Sequence, residues 1–445
     1  PMAVAKSTFT CTDCGWSTPK WVGRCGECQA WDTMQESKAG GSRGLGTVRQ
    51  IKPVAIVGSS AAKPITHVST ERVAAWSTQV GEFDRVLGGG LVPGAVVLLS
   101  GEPGVGKSTL LLEVAANTAK SGKSVLYVSG EESVGQIRLR AERTGAMNDN
   151  LFIASETDLS TVLGQIDAVS PELLVVDSVQ TIAAAEIDGA AGMPSQIREV
   201  AANLIRVAKE RALPVILVGH VTKDGNIAGP RALEHLVDVV CHFEGDRQTS
   251  LRFVRSMKNR FGPTDEVGCF EMTGDGINEV PDPSGMFLSR GDAPVSGTCV
   301  TVTVEGKRPL IAEVQALVVK SSTPQPRRVT NGVDSARVAM LLAVLERRAG
   351  LRLSDMDVYV STVGGVKLTE PASDLAIALA IASAVQDKPI AHNLVAFGEI
   401  SLAGEIRKVS NGKVRANEAN RLGFVRSVDS GVGDLKAALA LGLNW

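Results

Sequence analysis

The chain has 445 residues, a formal net charge of −2 and 44% hydrophobic residues, which predicts a globular protein of two or three domains. The near-neutral charge excludes a globally basic surface, so any contact with nucleic acid would need local basic patches. The longest apolar stretches, residues 338–345 and 375–385, fall short of the roughly 18 residues that a membrane span requires.

The amino-terminal segment lacks the hydrophobic core of a secretory signal before Cys11. We therefore expect the protein in the cytoplasm. In that reducing compartment the seven cysteines should be free thiols or metal ligands rather than disulfides.

Two Cys-x-x-Cys pairs, Cys11 with Cys14 and Cys25 with Cys28, open the chain ten residues apart. Each pair offers two thiolates, and two pairs complete a tetrahedron around zinc. Residues 1–35 are thus predicted to be a four-cysteine zinc finger. Because four protein ligands leave no open coordination position, the zinc should be structural. Two disulfides or four unrelated thiols are the competing interpretation.

Three tryptophans, Trp16, Trp21 and Trp31, lie in this short segment. We expect them to form a small core beside the metal, in preference to a platform on which bases stack. Residues 36–65 are rich in Gly, Ser, Ala and Pro, which predicts a flexible linker.

A phosphate-binding loop follows the apolar run of residues 96–99 and precedes a helical stretch. Its residues are Gly101, Glu102, Pro103, Gly104, Val105, Gly106, Lys107, Ser108 and Thr109. Backbone N–H groups would surround the phosphates at a helix N-terminus, and Lys107 would reach the β- and γ-phosphates. The Ser108 hydroxyl would bind Mg²⁺. The loop predicts binding of a nucleoside triphosphate, expected to be ATP with ADP as product. Another nucleotide stays open at this point, because the sequence carries no recognisable base-contacting signature.

From residue 66 to 285 apolar strands alternate with helical segments. Strands are predicted at 124–129, 151–154, 173–177 and 214–219, and a helix at 195–212. This pattern is typical of an α/β domain with a largely parallel sheet.

Three polar positions follow these strands and are candidates for catalysis. Asp177 ends a buried strand and is predicted to hold Mg²⁺ through water. Glu131 follows the strand after the P-loop helix and is the candidate general base, with Glu132 as the alternative. His220 either senses the γ-phosphate and relays it to the loop at 222–230, or is a structural histidine.

After residue 285 the pattern changes. Strands are predicted at 298–304 and 312–319, and helices at 333–349 and 371–386. A separate carboxy-terminal α/β domain over residues 286–445 is expected.

Lys258-Asn259-Arg260-Phe261-Gly262, with the four cysteines and the segment Trp-Val-Gly-Arg-Cys-Gly-Glu-Cys at 21–28, resembles the bacterial RadA (Sms) DNA-repair family. The resemblance covers essentially the whole chain. It implies a RecA-like ATPase core over residues 66–285, hexameric rings like those of replicative helicases, single-stranded DNA binding and ATP-driven branch migration of recombination intermediates. A RecA-type recombinase is the implied partner, and segments 181–194 and 222–230 face the channel in related rings.

Lys258 and Arg260 lie two positions apart, on one side of an extended chain. By the resemblance, both are predicted to reach the γ-phosphate of a neighbouring subunit. A basic surface strand is the alternative, since Arg252 and Arg255 precede them, and a share of DNA contact stays open.

Residues 286–445 resemble the proteolytic domain of Lon-type proteases, which uses a serine nucleophile and a lysine base. Matching the motifs puts Ala372 at the nucleophile position and Lys413 at the lysine position, and without a hydroxyl the lysine cannot run acyl transfer. Ser373 would point about 100° away on a helix. The domain is predicted to be proteolytically inactive and to guide DNA. Its candidate phosphate contacts, each equally explained as a solvated charge, are Lys307, Arg308, Lys320, Arg327 and Arg328.

Three functions compete on this sequence. The first is a DNA-stimulated hexameric motor, the second an ATP-dependent protease, against which Ala372 argues, and the third a nucleotide-switched scaffold that binds partner proteins through the zinc module. DNA-stimulated turnover would discriminate the motor from the scaffold.

Overall fold

A computed structural model describes residues 8–37, 62–68, 74–221, 230–245, 250–289, 291 and 293–444. The chain divides into two compact units, Pro1–Ser69 and Thr70–Trp445. Most of the predicted linker, residues 38–61, lies outside the described residues, as do residues 222–229 of the predicted channel loop.

The first unit is a three-stranded antiparallel sheet in the order β2-β1-β3. The strands are β1 (Thr8–Cys11), β2 (Ser17–Thr18) and β3 (Met34–Ser37). Strands this short cannot bury a core of their own. The fully buried positions described in this unit are the sulfur-bearing residues Cys11 and Cys25.

The predicted tryptophan core is wrong for two of its three members. Trp21 is 62% exposed and Trp31 is 72% exposed, because the interior of the module is occupied by cysteine sulfur. Trp31 instead has the guanidinium of Arg24 5.5 Å from its ring centroid. Trp16 packs over Gly26, where a Cβ atom would lie 2.8 Å from the indole ring.

The second unit begins with a nine-stranded sheet in the order β12-β11-β10-β9-β4-β8-β7-β5-β6. Its strands are β4 (Val96–Gly101), β5 (Val125–Ser129), β6 (Leu151–Ser155), β7 (Leu173–Asp177), β8 (Val215–His220), β9 (Val239–Glu244), β10 (Leu251–Asn259), β11 (Val267–Thr273) and β12 (Gly276–Glu279). Strands β4–β9 are parallel, and β10–β12 add an antiparallel meander.

The helices of this region are α1 (Gly81–Leu87), α2 (Lys107–Lys120), α3 (Val134–Thr144), α4 (Leu159–Val169), α5 (Pro194–Arg211) and α6 (Pro230–Leu233). Apolar side chains fill both faces of the sheet: along β4, Val97 and Leu99 enter one core and Val96 and Leu98 the other. Burial on both faces explains why the parallel strands read as continuous apolar runs. The predicted largely parallel α/β core is confirmed.

A six-stranded sheet follows, in the order β15-β16-β14-β13-β17-β20. Its strands are β13 (Thr298–Glu305), β14 (Arg308–Lys320), β15 (Arg328–Asn331), β16 (Met356–Thr362), β17 (Leu394–Ala396) and β20 (Arg426–Val428), with a separate ribbon of β18 (Glu399–Ile400) and β19 (Ile406–Arg407). Its helices are α7 (Ser335–Ala349), α8 (Asp374–Gln386), α9 (Gly412–Arg421) and α10 (Leu435–Leu443). Helix α8 is buried along most of its length and is central to this core.

Charged side chains cross the junction between the two sheets. Arg308, at the start of β14, is 8% exposed; it pairs with Glu82 of α1 and donates to the backbone carbonyls of Val267 and Pro281. The prediction of Arg308 as a phosphate contact is therefore wrong, since its guanidinium is buried and bonded to Glu82 and to backbone carbonyls at the junction.

In the described part of the chain, no helix combines the length and the apolar character that a bilayer crossing demands.

Candidate functional site

The P-loop connects the carboxyl end of β4 to the first turn of α2. Gly106 adopts φ +114°, which favours glycine, and a Cβ atom there would lie 2.9 Å from the sulfur of Met272. A Cβ atom on Gly101 would lie 2.6 Å from the Phe243 carbonyl oxygen. The loop is thus a close-fitting cradle in which glycine is required, with the free N–H groups of α2 directed to its mouth.

Lys107 is the first residue of α2 and is only 3% exposed. Its Nζ donates to the carbonyl oxygens of Gly101 (2.8 Å) and Glu102 (2.7 Å). Burial lowers the pKa of Lys107 to about 8, against the opposing charges of Asp177 and Glu131. A polyphosphate fits this position because it would bring an anion to a buried ammonium whose hydrogen-bond partners among the described residues are two neutral carbonyls.

Asp177 ends β7 and is 3% exposed. Its Oδ2 accepts a hydrogen bond from the Tyr127 hydroxyl at 2.9 Å, while its Oδ1 is buried without a hydrogen-bond partner among the described residues. Burial, together with the charge of Asp177, raises the pKa of Tyr127 above its ordinary value. An unpartnered buried carboxylate oxygen is suited to Mg²⁺, so Asp177 and the half-buried Ser108 fit the predicted ion.

Glu131 stands beside Asp177 at the same edge of the sheet. Its Oε1 accepts hydrogen bonds from the Ser178 hydroxyl (3.0 Å) and from His220 Nε2 (2.9 Å). Ligand atoms of Glu131, Asp177 and His220 lie within 4.8 Å of one another. The parallel strands therefore gather the three predicted residues at one edge, together with Ser178, which the sequence did not single out although it directly follows Asp177.

The alternative base, Glu132, forms an ion pair outside this cluster. Its carboxylate pairs with Arg140 of α3, with 2.8 Å between Oε2 and the guanidinium. Of the two glutamates, Glu131 is the one that faces the other predicted site residues.

Lys258 and Arg260 lie at the opposite edge of the sheet. Asn259 pairs with Val239, the first residue of β9, and β9 runs parallel to β4, so these cations are separated from their own P-loop by the length of a strand, roughly 17 Å. Lys258 Nζ donates to the carbonyl oxygens of Glu234 and Val237, at 2.8 Å each.

Arg260 contacts the same segment, because its Nη1 lies 3.0 Å from Oδ1 of the buried Asp238. Both cations therefore contact the segment 234–238, which precedes β9. We call this end of the parallel strands the amino edge of the sheet.

The other end of β10 supports the P-loop. Arg252 is 7% exposed, and its Nε donates to the Val105 carbonyl at 3.0 Å. Arg255 pairs with Glu244 of β9 and with Glu305 of the second sheet. The alternative of a basic surface strand is wrong for these two arginines, and the support of the P-loop by Arg252 was not foreseen, since no local pattern links residues this far apart.

The four cysteines converge in the first unit. Sγ of Cys11 lies 3.7 Å from Sγ of Cys28, and Sγ of Cys14 lies 3.5 Å from Sγ of Cys25, close to the separation of about 3.8 Å that tetrahedral Zn–S bonds impose. A hydrogen bond with the Thr33 side chain lowers the pKa of Cys11 to about 6. The cluster fits a structural zinc ion.

The segment at 181–194 is ordered by a buried amide. Gln196 of α5 is 1% exposed and exchanges hydrogen bonds with the backbone of Ala184, Ile187 and Gly189. The segment contains Glu186 and Asp188 but neither Lys nor Arg. A DNA contact here would therefore have no cationic side chain and would depend on neutral donors such as backbone amides.

The carboxy-terminal region places Ala372 and Ser373 in its core, at 3% and 4% exposure. The Ser373 hydroxyl donates to the Glu370 carbonyl at 2.9 Å, whereas Lys413 is exposed on the first turn of α9. Among the described residues no hydrogen bond joins Ser373 to Lys413.

The remaining candidate phosphate contacts are surface residues. Lys307, Lys320, Arg327 and Arg328 are exposed. Arg328 donates to the carbonyls of Met356 and Leu353, so its guanidinium is partly used within the domain.

Comparison with known proteins gives matches over both units. A family model described as an AAA domain matches residues 66–226, and one described as a rubredoxin metal-binding domain matches residues 9–36. The DNA repair protein RadA of Mycolicibacterium smegmatis is 53% identical over 429 residues, covering 95% of this chain and 91% of that protein. The protein of the same name from Bacillus subtilis is 47% identical over 430 residues, covering 96% and 93%.

Among solved structures, a KaiC-like protein from Pyrococcus horikoshii aligns with 47% of this chain and 100% of its own, at 23% identity and a TM-score of 0.40.

Proposed function

Because the chain belongs to the family of DNA repair proteins named RadA, we propose that it is a DNA-stimulated ATPase of recombinational DNA repair. It would assemble as a hexameric ring in the cytoplasm, bind single-stranded DNA and drive branch migration of recombination intermediates alongside a RecA-type recombinase.

In this mechanism, Lys107 neutralises charge on the β- and γ-phosphates. Ser108 and Asp177 would hold Mg²⁺, which supplies further charge neutralisation at the phosphates. Glu131 orients the attacking water and accepts its proton. Lys258 or Arg260 would complete the site from the neighbouring subunit.

The observation that carries the proposal is the division of the predicted catalytic residues between two edges of one sheet. Lys107, Glu131 and Asp177 lie at the carboxyl edge, and Lys258 and Arg260 lie a strand length away. A cation at the amino edge cannot serve its own nucleotide. In a ring where the amino edge of one subunit meets the carboxyl edge of the next, the cation would reach the nucleotide of the neighbouring subunit.

The test is steady-state ATP hydrolysis with and without single-stranded DNA. Wild type should be stimulated by DNA, and Lys107→Ala should be inactive. Lys258→Ala should lose stimulated turnover by about 10³-fold, the usual effect of removing a cation supplied in trans.

Lys436→Ala, which removes an exposed lysine of α10, is the matched control and should behave as wild type. Thermal melting of Lys258→Ala guards against a folding defect, since the variant removes both hydrogen bonds that Lys258 Nζ donates to backbone carbonyls. DNA-stimulated hydrolysis that survives Lys258→Ala would contradict the trans role.

A second candidate function is a nucleotide-switched scaffold. The exposed indoles of Trp21 and Trp31 on a separate compact unit favour docking of a protein partner. Hydrolysis that ignores DNA would favour this alternative. We do not propose proteolysis, because Ala372 has no hydroxyl and the Ser373 hydroxyl is buried against a carbonyl.

A further inference from the structure

We propose that Ser178 and His220 are positioning residues, which hold Glu131 by one carboxylate oxygen and leave the other to accept the proton of the attacking water. This inference rests on the proposed ATPase function and on Glu131 as its general base.

The first step is the distribution of hydrogen bonds on the Glu131 carboxylate. Oε1 accepts both the Ser178 hydroxyl (3.0 Å) and His220 Nε2 (2.9 Å). A carboxylate oxygen offers about two lone-pair sites, so these donors saturate Oε1. Both of these hydrogen bonds end on Oε1, and no described residue donates a hydrogen bond to Oε2.

The second step is the rigidity of the Ser178 donor. Ser178 follows β7 directly and is 0% exposed. Its carbonyl accepts hydrogen bonds from the backbone N–H and the hydroxyl of Thr181. The Ser178 hydroxyl is therefore held at a fixed point beside the sheet.

His220 is held in a comparable way. It ends β8, the strand next to β7, and its carbonyl accepts a hydrogen bond from the Gln180 side chain at 3.1 Å. A carboxylate only accepts, so Nε2 carries the hydrogen toward Glu131. Nδ1 is buried without a partner among the described residues, so the ring is held through Nε2 and through its backbone.

The third step is what this geometry does for catalysis. The Glu131 side chain is 43% exposed and would otherwise sample several rotamers. The hydrogen bonds from Ser178 and His220 fix Oε1. They therefore restrict the carboxylate to one rotamer and hold Oε2 in one position. There it takes a proton from water as the water oxygen bonds to the γ-phosphorus and the bond to the bridging oxygen breaks, which yields ADP and phosphate.

The test compares Ser178→Ala and His220→Ala in the wild-type background and in Glu131→Gln. In the wild-type background each variant should lower kcat by about 10- to 100-fold, the cost of a misplaced catalytic group. KM for ATP should change by less than about twofold, because ground-state binding is untouched. His220→Gln, which keeps an N–H donor, should recover part of kcat.

In the Glu131→Gln background, single-turnover release of phosphate from labelled ATP measures the residual rate. Neither Ser178→Ala nor His220→Ala should lower it further by more than about twofold, since both act through the missing carboxylate. Ser256→Ala is the matched control. It also removes a buried hydroxyl, but one without a hydrogen-bond partner among the described residues, and it should leave kcat unchanged.

Three outcomes would overturn the inference: a wild-type kcat for Ser178→Ala, an equal loss in both backgrounds, or a His220→Ala variant that raises KM in both. The last would make His220 a phosphate sensor. A wild-type kcat for Glu131→Gln is distinct, because it would remove the general base from the proposed function itself.

Discussion

At the scale of single residues, Arg415 of α9 forms a buried ion pair beside the second sheet. It is 0% exposed, and its guanidinium pairs with both oxygens of Glu370, at 2.6 and 2.8 Å. Further donors reach the carbonyls of Val302 and Ser410. This fully buried guanidinium, with a hydrogen bond on each of its three nitrogens, fixes α9 against β13. Loss of its counter-charge should therefore be strongly destabilising.

We expect Glu370→Gln to lower the free energy of unfolding by about 3–5 kcal/mol at pH 7, because it leaves the buried Arg415 charge uncompensated. Urea unfolding measures the change. Glu210→Gln, which removes an exposed pair with Arg206, is the matched control and should cost less than about 1 kcal/mol. A comparable cost for both variants would contradict the role of burial.

The same pair predicts a pH dependence. Burial opposes ionisation of Glu370, but the Arg415 hydrogen bonds and charge outweigh it, so the pKa of Glu370 falls below its ordinary value of 4.5. A depressed folded-state pKa contributes stability above 4.5 that is lost as the pH falls through the folded value. The difference between wild type and Glu370→Gln should therefore be full at pH 7 and shrink below pH 4.5.

Sequence reasoning succeeds at residue scale where the chemistry is local. The P-loop, Asp177 and Glu131 are each recognisable from a strand and the few residues after it. Partners distant in the chain escape it: Ser178 is 47 residues from Glu131, and Arg252 is 147 residues from Val105. Only the order of strands in the sheet brings such residues together.

At the scale of elements, the zinc ribbon depends on its metal. Its strands contain four, two and four residues, and two of its large indoles face solvent. Apolar burial this small cannot offset the entropy of ordering the chain, so metal binding must supply the folding free energy.

We expect Cys25→Ser to abolish bound zinc, measured by elemental analysis, and to unfold the ribbon. ATP hydrolysis in the absence of DNA should stay within about twofold of wild type, because the ribbon and the segment Thr70–Trp445 are separate compact units. Cys299→Ser, at a buried cysteine outside the cluster, is the control and should retain zinc. Loss of basal hydrolysis in Cys25→Ser would contradict the independence of the units.

The elements themselves differed in how far the sequence predicted them. Strands β4, β5, β7 and β8 are short apolar runs bounded by turn residues and were placed within a residue or two. Of the meander β10–β12, the sequence indicated only an extended segment around Lys258, within β10. Strands β11 and β12 were not predicted, because their pattern is irregular and the pairing depends on β9. Trp21 and Trp31 were wrongly predicted to be buried. Hydrophobicity alone does not show whether so small a module can enclose a large side chain.

At the scale of the whole molecule, the two sheets of Thr70–Trp445 are joined by buried charge. Glu82 is 3% exposed, pairs with Arg308 and also accepts the Cys269 backbone N–H at 2.9 Å. Arg255 and Glu305 add a second ion pair, at 2.7 Å. Removing one partner of these contacts would leave the other as an unpaired charge at the junction.

We therefore expect both sheets to unfold in one transition, so that circular dichroism and loss of nucleotide binding give the same urea midpoint. Arg308→Leu should lower the free energy of unfolding by about 3–5 kcal/mol. The urea midpoint should fall for both probes together. Arg347→Leu, at an exposed arginine of α7, is the matched control and should change the free energy of unfolding by less than about 1 kcal/mol. Two separated transitions in the wild type would show that the junction does not couple the sheets.

The Glu82–Arg308 pair also limits how the chain can be cut and reused. It closes a loop of 226 residues, and a fragment ending at residue 285 would keep Glu82 while discarding Arg308. Glu82 would then retain the more exposed Arg85, 3.6 Å from its Oε1, as its cationic partner, and the fragment should be less stable than the intact segment. The smallest portable piece of this protein therefore includes the β13–β14 hairpin, and a recombination of gene segments at residue 285 would be selected against even with the nucleotide site intact.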